Sequence, residues 1–288
     1  MTDERTIRKR LTLHIAGFFV LLETDDELVG NRIRSRYQDF LCTEESPHIS
    51  IEINVIPEAL YIEPKPGPWI IEAEFEDDRL TFQSYLERGE VNLVSGRGYL
   101  DVAPEANIEN FLRAVFAWLC VKNDGVLLHA AGVIRNGLGY VFFGPSGAGK
   151  TTASRIAARS SDVVSDDLVV IRIEKGVGIL HGVPFRGEMS DVPRANQKAP
   201  LKGIFRIRQD TDHFIEPISR VTAVADLVAS SPFVVRELSL TDLLVDVCDM
   251  IVRSVPVMAL HFKRDDGFWK VIDEHFEDVP KTASANGG

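Results

Sequence analysis

The chain has 288 residues, of which 45% are hydrophobic and 26% are charged. This composition is ordinary for a globular protein and excludes wholesale disorder. The length is enough for one large domain or two modest ones, and we expect two lobes. The 32 lysines and arginines against 43 acidic residues give a net charge of −11, so the overall field repels nucleic acid and anionic membranes. We expect neither as a partner.

Cysteine usage indicates a reducing compartment. The three cysteines, Cys42, Cys120 and Cys248, occur without a CxxC pair. Cys120 and Cys248 lie in apolar, helix-like segments, which predicts buried thiols rather than disulfide partners or zinc ligands. The charged N-terminal segment is followed by no apolar stretch of signal-peptide length, and no later stretch reaches the about 18 residues of a membrane span. We therefore expect a cytoplasmic protein.

The first third of the chain, residues 1–105, is predicted to form an accessory α+β region without a catalytic motif. Short segments at 11–23 and 49–56 are β-branched or aromatic and partly alternating, which predicts strands. The acids between 74 and 78 predict the solvated edge of a hairpin rather than a metal site. The segment between the two strands predicts a helix, with apolar residues near helical spacing at Leu28, Ile33, Tyr37 and Phe40.

The remainder of the chain has the pattern of an α/β domain. A helix is predicted at about 106–122, where an apolar stripe ends at an NDG stop signal. Residues 125–174 then predict strand, turn, strand, loop, helix and strand, which is the alternation of an α/β core. The last third adds strands and two amphipathic helices. We predict a catalytic domain over 106–278 and a disordered tail over 279–288.

A glycine-rich turn stands out in this domain. Gly144, Gly149, Lys150 and Thr151 match G-x-x-x-x-G-K-[ST], between an apolar strand that ends at Phe143 and a predicted helix. Such a turn points amide N–H groups at phosphates, its lysine reaches the β- and γ-phosphates, and its hydroxyl binds Mg²⁺. The alternative is a plain glycine turn. On the phosphate-binding interpretation, the nucleotide contacts are Gly144, Pro145, Ser146, Gly147, Ala148, Gly149, Lys150, Thr151 and Thr152.

Two carboxylates follow at the distance expected of a metal-binding strand. Asp166 and Asp167 begin 16 residues after Lys150, one helix and a turn away. Consecutive strand residues point to opposite faces, so the pair predicts two roles unless the chain bends there. One aspartate would join Thr151 as a Mg²⁺ ligand, and the other would accept the proton of an attacking hydroxyl. The alternative is that one of the two only caps a turn.

His129 ends the strand before the one that leads into the glycine turn. Its leucine and alanine neighbours are typical of a hydrogen-bonded core histidine. Its position 21 residues before Lys150 also permits a place near the phosphates, and the sequence leaves both open.

The segment LLHAAGVIRNGLGYVFFGPSGAGKTT, followed by VVSDDLVVI, resembles the catalytic core of the HPr kinase/phosphorylase family. It is more similar still to the HPr-kinase-related proteins that lack the full domain set of that family. The resemblance implies an α/β fold: a P-loop kinase core of the HPr kinase and phosphoenolpyruvate carboxykinase type with a mixed sheet, plus the N-terminal α+β region.

The same resemblance implies site residues and partners. Lys150 and Thr151 would contact ATP and Mg²⁺, one of Asp166 and Asp167 would be the base with the other near the metal, and His129 would lie beside the phosphates. A PF-x-GE turn suggests that Arg186 approaches the transferred phosphate, with a surface arginine as the alternative. The implied partner is a hydroxyl-bearing acceptor. A homo-oligomer is allowed, since HPr enzymes form hexamers.

The sequence thus predicts an ATP- and Mg²⁺-dependent kinase whose acceptor is a serine or similar hydroxyl on a peptide, a protein or a small molecule. The alternative is a nucleotide-binding sensor or scaffold with little or no phosphotransfer. A third interpretation, a decarboxylating phosphotransferase like phosphoenolpyruvate carboxykinase, needs a Mn²⁺ site with further histidine and lysine ligands, and the sequence offers no positions for them.

Overall fold

The structure is a computed structural model, and it describes residues 8–44, 46–67, 69–185, 187 and 195–277. It is an α/β protein with two eight-stranded mixed sheets. None of the helices in these ranges combines the length and the apolarity that a bilayer crossing requires.

The first sheet contains the N-terminal strands. They are β1 (Lys9–Ile15), β2 (Phe18–Thr24), β3 (Leu41–Cys42), β4 (Ile49–Val55), β5 (Ile71–Glu76), β6 (Arg79–Ser84), β7 (Glu87–Asn92) and β8 (Arg97–Val102). Their spatial order is β3-β1-β2-β4-β8-β7-β6-β5. The pairs β2/β4 and β4/β8 are parallel, and the others are antiparallel. One helix, α1 (Glu27–Arg36), begins after Asp26, whose carboxylate accepts a hydrogen bond from the Val29 N–H.

Two local predictions for this region were wrong. The single strand expected over 11–23 is the hairpin β1/β2, because Ala16 and Gly17 turn the chain with φ of 51° and 85°. Leu28, expected on the apolar face of α1, is 80% exposed, and the core position belongs to its neighbour Val29. The strand at 49–56 is confirmed as β4, and the acids at 74–78 do lie in a hairpin, β5/β6.

The second sheet contains the strands β9 (Gly125–Arg135), β10 (Leu138–Phe143), β11 (Asp162–Ser165), β12 (Leu168–Glu174), β13 (Val177–His181), β14 (Lys198–Gln209), β15 (Phe214–Pro217) and β16 (Val257–Phe262). Their spatial order is β10-β9-β12-β13-β14-β16-β15, with β11 paired to β9. Strand β14 also pairs in parallel with β10, so the strands from β10 round to β14 close on themselves. The helices are α2 (Glu109–Val121), α3 (Lys150–Ala157), α4 (Arg220–Ala229), α5 (Thr241–Ser254) and α6 (Phe268–Glu277).

Helix α2 joins the two sheets into one core. Its Phe111 ring meets Phe82 of β6 at a centroid distance of 5.4 Å, and its Phe116 ring meets Phe185 at 6.1 Å. Almost every residue of α2 is buried, including Cys120. Burial raises the pKa of the Cys120 and Cys248 thiols to about 12, as expected of inert core cysteines. The domain division at 105/106 stays a prediction. The predicted tail at 279–288 lies outside the described residues.

Candidate active site

The glycine-rich turn lies between a buried strand and a helix, as the motif requires. Strand β10 ends at Phe143 and α3 begins at Lys150. Gly149 precedes the helix with a φ of +105°, and a Cβ placed on it would lie 2.9 Å from Cζ of Phe262. Glycine is therefore required there both by the backbone conformation and by the space available.

The N-terminus of α3 points into the turn without a side-chain cap. The first N–H groups of any helix lack partners inside the helix, and its dipole adds partial positive charge at this end. Thr151 and Thr152, in the first turn of α3, line the cavity in front of it. This geometry suits an anion that accepts several backbone hydrogen bonds.

The Lys150 side chain folds back over the turn. Only 9% of the residue is exposed, and its Nζ donates hydrogen bonds to the carbonyl oxygens of Gly144 at 2.9 Å and Pro145 at 3.4 Å. The ammonium group is therefore held at the rim of the turn, within reach of the same cavity that the helix N-terminus faces.

Asp166 and Asp167 lie in a bend between β11 and β12 rather than within one strand. The hydroxyl oxygen of Ser165 accepts hydrogen bonds from the N–H groups of Asp167 at 3.3 Å and Leu168 at 3.2 Å, which fixes this bend. Both carboxylates consequently line the same cavity. Asp166 is 3% exposed, and the backbone of Gly187 packs against it so closely that a Cβ would lie 2.6 Å from Oδ1.

His129 faces Asp167 across the pairing of β9 with β12. Its Nδ1 lies 3.3 Å from Oδ1 of Asp167, and its backbone N–H donates to the carbonyl oxygen of Ser230 at 2.8 Å. Burial lowers the pKa of His129; the Asp167 carboxylate opposes this effect, and the cations Lys150 and Arg113 add to it. The imidazole is therefore neutral at pH 7, with one ring nitrogen able to accept a proton. About half of the side chain is exposed, so His129 is not an enclosed core histidine.

Arg113 is a site residue that the sequence analysis missed. Its guanidinium lies 2.7 Å from Oε1 of Glu109 and 3.6 Å from Oδ2 of Asp167. A signal for it exists in the sequence: Glu109 and Arg113 form an i, i+4 charge pair in a helix that is otherwise almost entirely apolar. Arg113 thus brings positive charge from α2 to the carboxylates.

These groups surround a cavity of about 560 Å³, a size within the about 300–1,000 Å³ typical of ligand pockets. Gln209 at the end of β14 was not predicted, and its Nε2 donates to the carbonyl of Gly147 at 3.4 Å. Arg186, the predicted phosphate contact, lies outside the described residues. The cavity is lined by His129, Ser146, Gly147, Gly149, Lys150, Thr151, Thr152, Asp166, Asp167, Gly187 and Gln209.

A larger cavity, of about 930 Å³, adjoins the first. The two share His129 and Ser146. Gly144 and Pro145 of the turn line the larger cavity, whereas Ala148 lines neither cavity. Its other walls are strand β5 of the first sheet and the chain that follows α4. His129 therefore lies at the junction of two compartments.

The oxygen donors of the smaller cavity fit a magnesium ion. The described residues contain no group of three or more His, Cys, Asp and Glu side chains suited to hold a metal by themselves. Mg²⁺ in nucleotide sites uses one or two carboxylates, and phosphate oxygens and water complete its shell. This cavity supplies the one or two carboxylates that such a site needs. They belong to Asp166 and Asp167, and the Thr151 hydroxyl lines the same cavity.

Residues 105–277 match the model of a protein family described as SynChlorMet cassette protein ScmC. The chain belongs to the ScmC family. No curated protein matches this ScmC-family chain.

Among solved structures, the Hpr(Ser) kinase/phosphatase from Coxiella burnetii is similar to the ScmC-family chain, with 10% sequence identity and a TM-score of 0.31. The match covers 52% of this chain and 96% of that one. A TM-score of this size does not establish a shared fold. Membership of the HPr-kinase-related group therefore stays a prediction from the sequence motifs.

Proposed function

We propose that this ScmC-family chain is an ATP- and Mg²⁺-dependent kinase with a P-loop core of the HPr kinase type, which transfers the γ-phosphate to a serine or similar hydroxyl. One observation carries the proposal. The uncapped N-terminus of α3 and Lys150 face Asp166, Asp167 and His129 across one cavity. Phosphoryl transfer requires this pairing of a cationic phosphate cradle with carboxylates.

On this proposal the turn binds the triphosphate. Backbone N–H groups of the turn and of the first residues of α3 donate to the phosphate oxygens, and Lys150 exchanges its bonds to the Gly144 and Pro145 carbonyls for the β- and γ-phosphates. Thr151 and Asp166 would hold Mg²⁺. Asp166 would keep the ion beside the turn, where it would supply neutralisation of the phosphate charge.

His129 and Asp167 serve the acceptor. They form a pair at the junction of the two cavities, and a neutral imidazole oriented by a carboxylate can take the proton of an incoming hydroxyl. The Arg113 guanidinium lies 3.6 Å from Oδ2 of Asp167 and places a positive charge beside the pair. The acceptor then enters from the larger cavity.

Titration calorimetry with ATP in magnesium buffer tests the binding step. We expect Lys150→Met to weaken ATP about 10- to 100-fold, because a charged hydrogen bond contributes about 1.5–3 kcal/mol. Lys122→Met, at a surface lysine near Asp78, is the matched control and leaves the affinity unchanged. Transfer of label from γ-labelled ATP to serine-containing peptides tests the chemistry. Absence of heat with ATP in the wild-type protein would overturn the proposal.

A nucleotide-binding sensor or scaffold is the second candidate. One observation favours it: among the described residues, the eight strands of the first sheet contribute no side chain to the smaller cavity. A sensor binds ATP with the same Lys150 dependence but labels no acceptor. The label-transfer experiment separates the two candidates.

A further inference from the structure

The outer edge of β5 is an open hydrogen-bonding edge beside the candidate active site. Strand β5 ends the first sheet, and among the described residues no strand pairs with its outer side. In an antiparallel ladder the N–H and C=O groups of alternate residues point away from the partner strand. Glu76 and Arg79 close the β5/β6 hairpin around a two-residue turn, so they form a hydrogen-bonded pair. The backbone N–H and C=O groups that point away from β6 are therefore those of Ile71, Ala73 and Phe75.

Polar groups already occupy one end of this edge. The N–H of Phe75 donates to Oε2 of Glu237 at 3.4 Å, and its carbonyl accepts from the Ser239 hydroxyl at 3.1 Å. These contacts confirm that the backbone N–H and C=O of Phe75 point away from β6. The backbone donors and acceptors of Ile71 and Ala73 have the same outward orientation, and both residues line the larger cavity, which His129 also lines. Outward backbone groups on a sheet edge recognise an extended polypeptide.

The side chains along this edge are acidic. Glu72 and Glu74 alternate with the outward-pointing residues, are exposed, and line the same cavity. Opposite charges on directly paired strand residues stabilise the pairing, and like charges destabilise it. On the opposite wall Arg206 is already paired with Asp226 at 3.0 Å. A strand added to β5 is therefore favoured when the residues opposite Glu72 and Glu74 are lysine or arginine.

The opposite wall carries backbone strain. Phe233 has φ of 65° and ψ of −66°, and the Val234 N–H donates to the Pro232 carbonyl at 2.8 Å, which makes a tight three-residue turn. A bulky residue in this conformation is strained, and such strain clusters at ligand-binding segments. At the mouth, Trp69 is 54% exposed beside Tyr85. Both features belong to the larger cavity rather than to the nucleotide side.

We propose that the acceptor is a polypeptide segment with basic residues, which adds as an extended strand to the edge of β5 and presents its hydroxyl to His129. This inference rests on the proposed kinase function. The hydroxyl oxygen forms a bond to the γ-phosphorus of ATP, the bond from that phosphorus to the bridging oxygen of ADP breaks, and the hydroxyl proton passes to the His129–Asp167 pair. The N-terminal sheet thereby supplies the acceptor site of the enzyme.

The test uses a library of heptapeptides with a central serine and Lys, Glu, Val or Ala at the other positions. In a binding arm, the immobilised full chain with Mg²⁺ and a non-hydrolysable ATP analogue retains peptides that are sequenced by mass spectrometry. In a transfer arm, γ-labelled ATP labels the same library, with N-acetylserine amide as a small acceptor. We expect retention and labelling of lysine-rich peptides, and at least tenfold weaker labelling of the small acceptor.

Ala73→Pro removes the outward N–H without breaking the ladder with β6, because proline is tolerated where the N–H faces away from the partner strand. We expect it to reduce peptide retention and labelling about tenfold or more and to leave ATP affinity unchanged. Ala73→Ser keeps the N–H and is the matched control. The double variant Glu72→Gln/Glu74→Gln should abolish the selection for lysine while it still retains uncharged peptides.

The outcomes distinguish this inference from the function on which it rests. In one outcome the wild type retains peptides and Ala73→Pro does not, but no peptide is ever labelled. This outcome supports the strand addition and contradicts the kinase function. Labelling that is equal in Ala73→Pro and Ala73→Ser overturns the strand addition and leaves the kinase standing. Equal labelling of N-acetylserine amide and the peptides indicates a small-molecule acceptor and overturns the inference, as does a wild type that retains no peptide.

Discussion

Asp166 and Asp167 are neighbours in the chain with different surroundings. Asp166 is buried beside the Gly187 backbone, whereas Asp167 contacts His129 and Arg113. A carboxylate enclosed next to the glycine-rich turn is suited to a metal ion, and a carboxylate paired with an imidazole is suited to orienting a base. The two residues should therefore respond differently to the same substitution.

We expect Asp167→Asn to lower the rate of phosphate transfer about 10²- to 10⁴-fold with ATP affinity nearly unchanged, because it removes the orienting partner of a general base. Asp166→Asn should instead weaken Mg²⁺-dependent ATP binding. Single-turnover rates and calorimetric affinities measure the two effects. Asp162→Asn, at the exposed start of β11, is the control. Identical profiles for the two variants would contradict the division of roles.

Glu87 is a buried carboxyl in the first sheet, 2% exposed. The Ser84 hydroxyl donates to its Oε2 at 2.9 Å, and burial raises the pKa of Glu87 to about 7. Since the unfolded chain releases this proton near pH 4.5 while the folded chain retains it until about pH 7, Glu87 lowers stability as pH rises through that window. The loss is about 3 kcal/mol by pH 8, at about 1.4 kcal/mol per pKa unit.

Glu87→Gln should remove this loss. We expect the variant to gain about 2–3 kcal/mol relative to the wild type between pH 5 and pH 8, measured by urea denaturation at the two values. Glu90→Gln, on the same strand but paired with Arg79 near the surface, should show no comparable change with pH. A variant-to-wild-type difference that is the same at both pH values would show that Glu87 ionises normally.

At the scale of elements, the turn between β10 and α3 depends on two kinds of glycine. Gly149 and Gly147 both have positive φ, of +105° and +80°. A Cβ on Gly149 meets Phe262 and Gln209, whereas a Cβ on Gly147 meets no atom within 4 Å. Comparing the same substitution at the two positions therefore distinguishes the cost of backbone strain from the cost of steric collision.

We expect Gly147→Ala to cost about 1 kcal/mol of stability from backbone strain alone. Gly149→Ala should cost about 2–4 kcal/mol, because overpacking against Phe262 adds to the same strain. Thermal or urea unfolding of the two variants measures the difference. Equal costs would mean that the Phe262 ring moves aside freely.

The turn and its flanking elements were predictable because their signals are local. Glycine spacing, a short apolar run before it and a lysine and threonine after it all lie within a few residues of one another. The hairpin at Ala16–Gly17 carries a weaker local signal, and the continuous apolar pattern of β1 and β2 concealed it. Helix α6 has an apolar face that periodicity could have found, yet the sequence analysis did not propose it.

The remaining parts of the site depend on tertiary packing. Arg113 reaches Asp167 only because α2 packs against β9, and the larger cavity needs β5 to lie opposite the end of α4. The carboxylate pair was predicted as a pair, but its bend depends on Ser165, a residue without a distinctive pattern. The spacing of residues along the sequence does not predict these contacts between distant elements.

At the scale of the whole molecule, the two sheets share a core through α2, so we expect them to unfold together. Phe82→Ala in β6 removes a ring that packs on Phe111 of α2 and should cost about 3–5 kcal/mol. Variants that retain only Trp118 or only Trp269 report the two regions by fluorescence. Both urea midpoints should fall equally. Phe214→Ala, at a partly exposed ring stacked on His261, is the control with a small cost.

A Trp269 transition that stays in place while the Trp118 transition falls would show that the second sheet folds independently of the first. The segment from β9 to α6, residues 125–277, would then be stable without α2 and the first sheet. On the shared-core expectation the longer fragment 105–277, which matches the ScmC family model, aggregates, since α2 would expose Phe111 and Trp118 to water.

The bond between the His129 amide and the Ser230 carbonyl joins the strand that carries the imidazole to the end of α4. Both atoms belong to the main chain, so exchange of either side chain leaves the bond in place, and only proline at position 129 would delete the donor. The distance from the smaller cavity to the far wall of the larger one is thus set by the path of the main chain. A change of side chain at position 230 leaves this distance as it is, whatever the new residue.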